Sequence, residues 1–311
     1  MGVVVVGSAN FDLIYRVERI PAAGETVLAT SSDSAPGGKG NNQVTAAARA
    51  GADASFIAAI GTDGAGERLV ASLEESGVSL QLRRTGAPTG TAIIAVDEHG
   101  ENAIVVDSGA NGTLTDLTPA ERAVIADARV LLLQLETPLE TVAEAAAVAR
   151  RAGTLVVLNA APIRLLPRVL LDDVDVLIVN EHEAAHLAAD LRQTGRVDAD
   201  EAALAATIGE LGLAVIITLG ARGALVSVPG QGDIHVAGLP VEAVDTTGAG
   251  DTFCGALVAE LVRSESGSTD LAALGRCAEF ATAAAALCVQ RPGAVPSIPT
   301  LNEIQAFRST F

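Results

Sequence analysis

The stretch Asp245-Thr246-Thr247-Gly248-Ala249-Gly250-Asp251-Thr252-Phe253 joins the end of a short apolar run to a segment, 252–262, whose small and apolar residues recur at helical spacing. The glycines on either side of Ala249 leave the loop bare, so backbone amides can approach a bound group. The helix that follows has unpaired N–H groups and the positive end of its dipole at its start, which suits an anion. The stretch therefore predicts a loop followed by a helix, with an anion site at the loop.

Asp251 lies in the first turn of this predicted helix, beside the anion. Gly248, Ala249 and Gly250 would form an amide cradle for the charge that develops on phosphoryl oxygens, and the carboxylate would accept a hydroxyl proton. Phosphoryl transfer to an alcohol requires this arrangement. A structural loop is the alternative, because Gly-x-Gly is common at such turns and Asp often only caps a helix. The loop is neither a Walker loop nor a dinucleotide fingerprint, since no Gly-Lys-Ser/Thr follows it and Phe253 stands in place of a third glycine.

The composition is that of an acidic protein with an aliphatic core. The 311 residues are 49% hydrophobic, with six Phe, one Tyr and no Trp, and the formal net charge is −18. This charge argues against a nucleic acid or an anionic membrane as partner. A phosphate bound by such a protein must be neutralised locally, by a metal ion or by a helix end.

The cysteines and the hydropathy predict a soluble, cytoplasmic protein. Cys254, Cys277 and Cys288 form neither an even disulfide set nor a zinc-ligand spacing, so we expect buried thiols in a reducing compartment. The run 271–289 is apolar enough to suggest a membrane helix. Arg276 and Glu279 within it favour a buried helix instead.

Strands and helices alternate along most of the chain. Alternation of this kind builds an α/β fold with a parallel sheet and helices on both faces. Strands are predicted at 2–7, 55–60, 129–134, 154–159, 174–179 and 214–218, and helices at 66–76, 138–152, 181–191 and 200–211. The segments 89–96 and 102–107 instead predict a hairpin around Asp97-Glu98-His99-Gly100. We expect this hairpin to leave the main sheet and form a small flap with irregular strands in 17–34, within one domain spanning 1–311.

Polar residues follow the first predicted strand and precede the first helix. Asn10 and Asp12 stand where a parallel strand would end, a usual place for ligand contacts, although each alone could equally form an Asx turn. Lys39 is the one lysine of the chain and lies among glycines before an alanine-rich helix. Together with Asn42 in the first turn of that helix, it predicts a site for a hydroxylated ligand.

Asn180 and Glu183 form another candidate site at the start of a predicted helix. They lie three positions apart and therefore share a face, and both offer the oxygen ligands that Mg²⁺ prefers. For Glu183 alone, a capping role is the better interpretation. The histidines show no zinc or nucleophile pattern and are expected at the surface: His99, His182, His186 and His235.

Two blocks of the chain resemble signatures of the PfkB carbohydrate kinase family. They are Gly37-Gly38-Lys39-Gly40-Asn41-Asn42-Gln43 and the opening stretch from Asp245 to Phe253. The resemblance extends from about residue 2 to residue 300. It implies a three-layer αβα ribokinase-like fold with a mostly parallel central sheet and a small β-sheet lid, built from segments of approximately 12–36 and 89–107. The chain departs from the common family pattern at Ala160, Cys254 and Thr282.

The resemblance implies ATP-dependent phosphorylation of D-ribose at the 5-hydroxyl, with Asp251 as the catalytic base and Gly248, Ala249 and Gly250 as the cradle. Another small sugar (fructose or deoxyribose) or a nucleoside is the alternative substrate, and a non-catalytic sugar-binding regulator is the alternative of another class. The implied sugar-binding residues are Asn10, Asp12, Gly38, Lys39, Asn42, Glu136 and Asp251. The implied ATP-binding residues are Asn180, Glu183, Thr218, Leu219, Gly220, Arg222, Gly223, Gly250 and Thr282.

The resemblance also implies two metal ions and an assembly. Asn180 and Glu183 would hold Mg²⁺ through water. A monovalent cation, K⁺, would lie behind the cradle, where Asp245 could alternatively act only as a cap. Its implied site consists of Asp245, Thr247, Cys288, Arg291, Gly293 and Ser297. Two copies of the chain would pair through the lid to form a homodimer.

Overall fold

Two β-sheets organise the chain. The structure, a computed structural model, describes residues 2–99, 101–193, 200–264 and 268–310. The strands are β1 (Val3–Val6), β2 (Asn10–Val17), β3 (Ala29–Gly37), β4 (Ala54–Gly61), β5 (Ser79–Thr85), β6 (Gly90–Val96), β7 (Asn102–Asp107), β8 (Val130–Leu133), β9 (Leu155–Asn159), β10 (Val176–Asn180), β11 (Ala214–Thr218), β12 (Gly223–Val228) and β13 (Gly232–Ala237). The α-helices are α1 (Lys39–Arg49), α2 (Gly64–Glu75), α3 (Pro119–Ala126), α4 (Leu139–Ala152), α5 (Arg168–Leu171), α6 (Glu181–Arg192), α7 (Glu201–Gly209), α8 (Ala249–Arg263), α9 (Leu271–Cys288) and α10 (Leu301–Arg308).

The large sheet forms the middle of three layers. Its nine strands lie in the order β13-β12-β11-β10-β9-β8-β1-β4-β5. All pairings from β11 to β5 are parallel, whereas the two pairings β11–β12 and β12–β13 are antiparallel. Successive side chains of a strand point to opposite faces, so Val3 and Val5 enter one apolar cluster with α1, α8 and α9, whereas Val4 and Val6 enter the other with α3 to α7. The predicted αβα fold is confirmed.

The small sheet stands off this body. Its strands lie in the order β3-β2-β6-β7, with β2 parallel to β6 and antiparallel to β3. The predicted hairpin is confirmed as the antiparallel pair β6–β7. Every residue of β7 is exposed, so this edge strand contributes nothing to the core.

Several elements differ from the sequence predictions. The polar residues expected after the first strand, Asn10 and Asp12, belong to strand β2 itself. Helix α8 begins at Ala249 rather than at 252, which still leaves Asp251 in its first turn. Strand β5 was missed because its polar, half-exposed sequence lies at the sheet edge and has no apolar run. The β12–β13 hairpin and the helices α3 and α10 were also missed.

Helix α9 is a core helix. By length and composition it could cross a membrane, with a mean hydropathy of 1.4, but 67% of it is buried inside the protein. It belongs to the same apolar cluster as α8. The cysteines Cys254, Cys277 and Cys288 are all free and buried, as predicted.

Candidate active site

The glycine loop brings an uncapped helix terminus to the carboxyl edge of the sheet. Gly248 is the N-cap of α8 and adopts the left-handed conformation, with φ 77°, and no side chain caps the helix there. A Cβ on Gly248 would lie 3.1 Å from the Cα of Ala294, so glycine is favoured by space as well as by φ. Around a Cβ on Gly250 there would be open space, and this residue faces a cavity. The N–H of Ala249, predicted as part of the cradle, donates to the Thr246 carbonyl oxygen at 3.2 Å, so the loop presents the backbone amides of Gly248 and Gly250 to a ligand.

Asp251 is held by two side-chain amides of α1. It is only 9% exposed. Its Oδ2 accepts from Asn42 Nδ2 at 2.9 Å, and its Oδ1 accepts from Gln43 Nε2 at 2.9 Å. Gly255 allows α1 and α8 to lie this close, because a Cβ there would lie 2.4 Å from the Gln43 carbonyl oxygen. Both donors fix the orientation of the carboxylate, as a general base needs.

Further carboxylates lie beside Asp251 on the side of the small sheet. Burial raises the pKa of Asp12 to about 7, and the negative charges of Glu136 and Asp251 add to the effect. The buried Oδ1 of Asp12 has no hydrogen-bond partner among the described residues. Glu136 Oε2 accepts from Ser8 Oγ at 2.6 Å and from the backbone N–H of Lys39 at 3.0 Å. An orphaned, buried acceptor next to two carboxylates suits the hydroxyl groups of a polyol, which donate as well as accept.

Lys39 balances this negative charge. The charge of Asp251 raises the pKa of Lys39, and those of Glu136 and Glu183 act in the same direction against the effect of burial. The lysine is therefore protonated and lies near all three carboxylates.

Asn10 is oriented by Asn111, a residue that the sequence analysis missed. Asn111 Nδ2 donates to Asn10 Oδ1 at 2.7 Å, and Asn111 Oδ1 accepts from the Ala9 N–H at 2.9 Å. Because its oxygen is engaged, Asn10 offers its amide N–H groups to a ligand. Asn111 stands in a Gly-rich 3₁₀ turn (Gly109–Thr113) far from any recognised motif, so the sequence held no signal for it.

A cavity of about 320 Å³ opens on the other side of the cradle. Of the residues predicted to bind ATP, the lining includes Thr218, Gly220, Gly223, Gly250 and Thr282. Its remaining lining is mostly apolar and small, which suits a flat heterocycle.

Two other residues predicted for ATP are engaged elsewhere. The side chain of Leu219 is buried in the apolar core, so only its backbone can serve a ligand. Arg222 forms ion pairs with Glu181 and Glu201 at the protein surface.

Asn180 and Glu183 form a capping box at the start of α6. Asn180 Oδ1 accepts from the Glu183 N–H at 2.8 Å, and Glu183 Oε2 accepts from the Asn180 N–H at 2.8 Å. Burial raises the pKa of Glu183, although the Asn180 N–H and the charge of Lys39 act to lower it. The box uses only one oxygen of Glu183, so the second oxygen of this carboxylate is left for a ligand. Among the residues that the structure describes, no group of three or more His, Cys, Asp and Glu side chains forms a direct metal site.

The six residues predicted for the monovalent cation meet around the loop before α8. Asp245 Oδ1 accepts from the Thr247 N–H and its Oδ2 from the Gly293 N–H, each at 2.9 Å. Although burial acts to raise the pKa of Asp245, these hydrogen bonds outweigh it and lower the pKa. Nearby, Cys288 Sγ lies 2.9 Å from Ser297 Oγ. Arg291 lies in the loop that follows α9, and its guanidinium pairs with Glu303.

Comparisons with known proteins agree with this architecture. The pfkB carbohydrate kinase family matches residues 2–301. A ribokinase of Haemophilus influenzae is 39% identical over 310 residues, covering 97% of each chain. The crystal structure of a ribokinase from Thermotoga maritima superimposes with a TM-score of 0.90 at 33% identity, covering 99% of each chain. The structure of an Arabidopsis thaliana ribokinase complexed with ribose and ATP gives a TM-score of 0.89 at 32% identity, covering 98% of each chain.

Fold and sequence thus define a kinase that acts on carbohydrates. The chain belongs to the pfkB carbohydrate kinase family.

Proposed function

We propose that this protein transfers the γ-phosphoryl group of ATP to the 5-hydroxyl of D-ribose, giving D-ribose 5-phosphate and ADP. One observation carries the proposal: Asp251, oriented by two amides, lies at an uncapped helix terminus between a nucleotide-sized cavity and a cluster of polyol-binding groups. The relatives of known structure and sequence include many ribokinases, one of them solved with ribose and ATP.

In this mechanism Asp251 accepts the proton of the 5-hydroxyl as the oxygen attacks the γ-phosphorus. The amides of Gly248 and Gly250 stabilise the charge that develops on the phosphoryl oxygens, while the amide of Ala249 donates to the Thr246 carbonyl oxygen and holds the turn. Each carboxylate oxygen of Asp251 accepts one amide hydrogen and keeps a second lone-pair site for the proton. Mg²⁺ bound through water at Asn180 and Glu183 would neutralise phosphate charge.

The sugar is held by Asn10, Asp12, Glu136, Asn42 and the backbone around Gly38 and Lys39. Asp12 and Glu136 accept from ring hydroxyls, and Asn10 donates. A sugar that lacks one of these hydroxyls leaves a buried polar group unpaired, which costs about 1–3 kcal/mol. This favours ribose over 2-deoxyribose.

The test is a coupled ADP-release assay with Mg-ATP over D-ribose, 2-deoxyribose, fructose and nucleosides. We expect the highest kcat/KM for D-ribose. A higher value for fructose or a nucleoside would reject the sugar assignment and leave the family intact. Sugar binding without ADP release from any substrate would instead support a non-catalytic regulator, a reading that the intact Asp251 network opposes.

We also propose that K⁺ binds behind the cradle and activates the enzyme. Asp245 ties Thr247 to Gly293, so backbone carbonyls of this loop can face one cation while the amides of the cradle face the phosphate. The measurement is turnover in K⁺ against tetramethylammonium at equal ionic strength. Equal rates with trace potassium excluded would leave Asp245 as a structural clamp.

The small sheet is proposed to act as a lid on a chain that works as one domain, and to pair with the small sheet of a second copy. Ile104, Val105 and Val106 of β7 are 54%, 66% and 52% exposed, a contiguous apolar edge that a soluble acidic chain rarely leaves uncovered. Val105→Asp should convert a dimer to a monomer by sedimentation equilibrium, whereas Leu165→Asp, at an exposed apolar residue outside the lid, should not. A monomeric unsubstituted protein would reject the pairing.

The three buried, free thiols support a cytoplasmic location.

A further inference from the structure

A chain of side-chain amides lies behind Asp251, on the side away from the sugar. It consists of Gln134, Gln43 and Asn159, and is called here the amide chain. Gln43 Nε2 donates to Asp251 Oδ1 at 2.9 Å and to Asn159 Oδ1 at 3.0 Å, and Gln134 Nε2 donates to Gln43 Oε1 at 2.7 Å. Gln134 and Gln43 are fully buried, and Asn159 is 8% exposed.

The direction of the amide chain is set by the backbone. Asn159 Nδ2 donates to the carbonyl oxygen of Ile178 at 3.2 Å, so its own oxygen faces Gln43. Gln43 must then present both N–H groups, one to Asn159 and one to Asp251, and its oxygen to Gln134. A flipped Gln43 would place its oxygen against two acceptors and its amide nitrogen against a donor, which leaves several buried groups unpaired.

We propose that Gln43 is a positioning residue for the catalytic base: through the amide chain it orients the Asp251 carboxylate towards the hydroxyl group. The proposal rests on the role of Asp251 given above. Asn42 also donates to Asp251 and is 6% exposed, whereas Gln43 has no exposed surface from which to touch a substrate. The effect of Gln43 is therefore exerted through Asp251.

Two consequences follow from this geometry. The Gln43 donor fixes one oxygen of the Asp251 carboxylate, so without it Asn42 alone sets the direction of the group. Loss of one of two orienting donors also lets the carboxylate rotate away from the line to the hydroxyl, which slows the chemical step without weakening sugar binding.

The test compares Gln43→Met, which removes the donor at similar volume, with Gln43→Glu, which replaces it by a carboxylate. At saturating sugar, kcat near neutral pH should fall about tenfold for Gln43→Met and about a hundredfold for Gln43→Glu, with the KM for sugar within about threefold of the unsubstituted value. Sugar affinity measured by calorimetry should stay within about threefold of the unsubstituted value in both variants, so that the loss appears in kcat alone. Gln305→Glu, on the exposed face of α10, is the matched control and should change none of these.

A loss of kcat accompanied by an equal loss of sugar affinity would show a packing role and overturn the proposal, as would unchanged kcat in a folded Gln43→Met protein. Should the Gln43 variants fail to fold, Gln134→Met removes the donor to Gln43 Oε1 and should lower kcat by a smaller factor with the sugar affinity unchanged; an unchanged kcat there also overturns the proposal. If Asp251→Asn retains turnover, the proposed mechanism itself fails. If Asp251→Asn is inactive while the Gln43 variants resemble the unsubstituted protein, only the positioning role fails.

Discussion

Helices α8 and α6 begin with the same local arrangement and use it differently. In each, a carboxylate stands at the third helical position, Asp251 in α8 and Glu183 in α6. In α6 the N-cap is Asn180, and the longer Glu183 reaches back to close a capping box that consumes two backbone N–H groups. In α8 the N-cap is Gly248, and the shorter Asp251 turns to the amides of α1 instead. A helix start becomes an anion site when its cap lacks a side chain and a neighbouring helix engages its carboxylate.

The largest effect is expected where Asp251 loses its charge. Asp251→Asn keeps the shape and should lower kcat by about 10²–10⁴, because the proton of the hydroxyl has no acceptor, while sugar binding changes little. The measurement is steady-state turnover together with sugar affinity by calorimetry. Asp270→Asn, at the exposed N-cap of α9, is the control and should leave kcat unchanged. Near-normal turnover of Asp251→Asn would remove Asp251 from the mechanism.

Replacement of Gly248, the N-cap of α8, by alanine should have the next largest effect. Gly248→Ala forces an L-residue into φ 77° and presses on Ala294, so the cradle shifts and kcat should fall by up to about 10². Gly153→Ala, at φ 80° with open space around its Cβ, imposes the same strain far from the site. We expect both to lose about 1–2 kcal/mol of stability in chemical denaturation and only Gly248→Ala to lose turnover. Equal kcat in the two variants would show that the cradle tolerates displacement.

The raised pKa of Asp12 predicts that the stability of the folded protein depends on pH. Its pKa rises from 3.8 to about 7 on folding, so between these values the folded state binds the extra proton and stability falls as pH rises. Asp12→Asn should therefore raise the Tm relative to the unsubstituted protein at pH 8 but not at pH 4, by about 2–4 °C for each kcal/mol recovered. Its sugar affinity should fall, because the hydroxyl acceptor is lost. The exposed Asp33→Asn serves as control, and an equal Tm change at both pH values would contradict the assignment.

The smallest effect is expected at the start of α6, where Asn180 and Glu183 form the capping box. Glu183→Gln keeps an acceptor for the capping box but removes the charge, so the Mg²⁺ concentration for half-maximal turnover should rise about tenfold with little loss of stability. Glu121→Gln alters the capping box of α3, away from the site, and should leave the Mg²⁺ dependence unchanged. An unchanged Mg²⁺ dependence in Glu183→Gln would show that α6 uses its box only as a cap.

Local sequence was sufficient for much of the fold. Continuous apolar runs such as Val3–Val6 predict strands buried on both faces, and their alternation with helices determines an αβα architecture. The chain also carries its glycine loop and Asp251 in one short stretch, because a backbone cradle and a first-turn carboxylate are properties of consecutive residues. Edge elements such as β5 lacked a signal, since a strand covered on one side needs no apolar run.

Only the tertiary structure decided how these residues act together. Asn42 and Gln43 lie more than 200 positions from Asp251, yet both donate to its carboxylate. Asn111 lies more than 100 positions from Asn10, yet it donates to the Asn10 side-chain oxygen. Sequence spacing cannot predict such contacts, because they depend on how closely α1 packs on α8 and where the turn before α3 lies. Packing also decided that Leu219 enters the core and that Arg222 pairs with surface carboxylates. Local residues determine which groups a helix end offers, whereas the neighbouring elements determine whether those groups are consumed or left for a ligand.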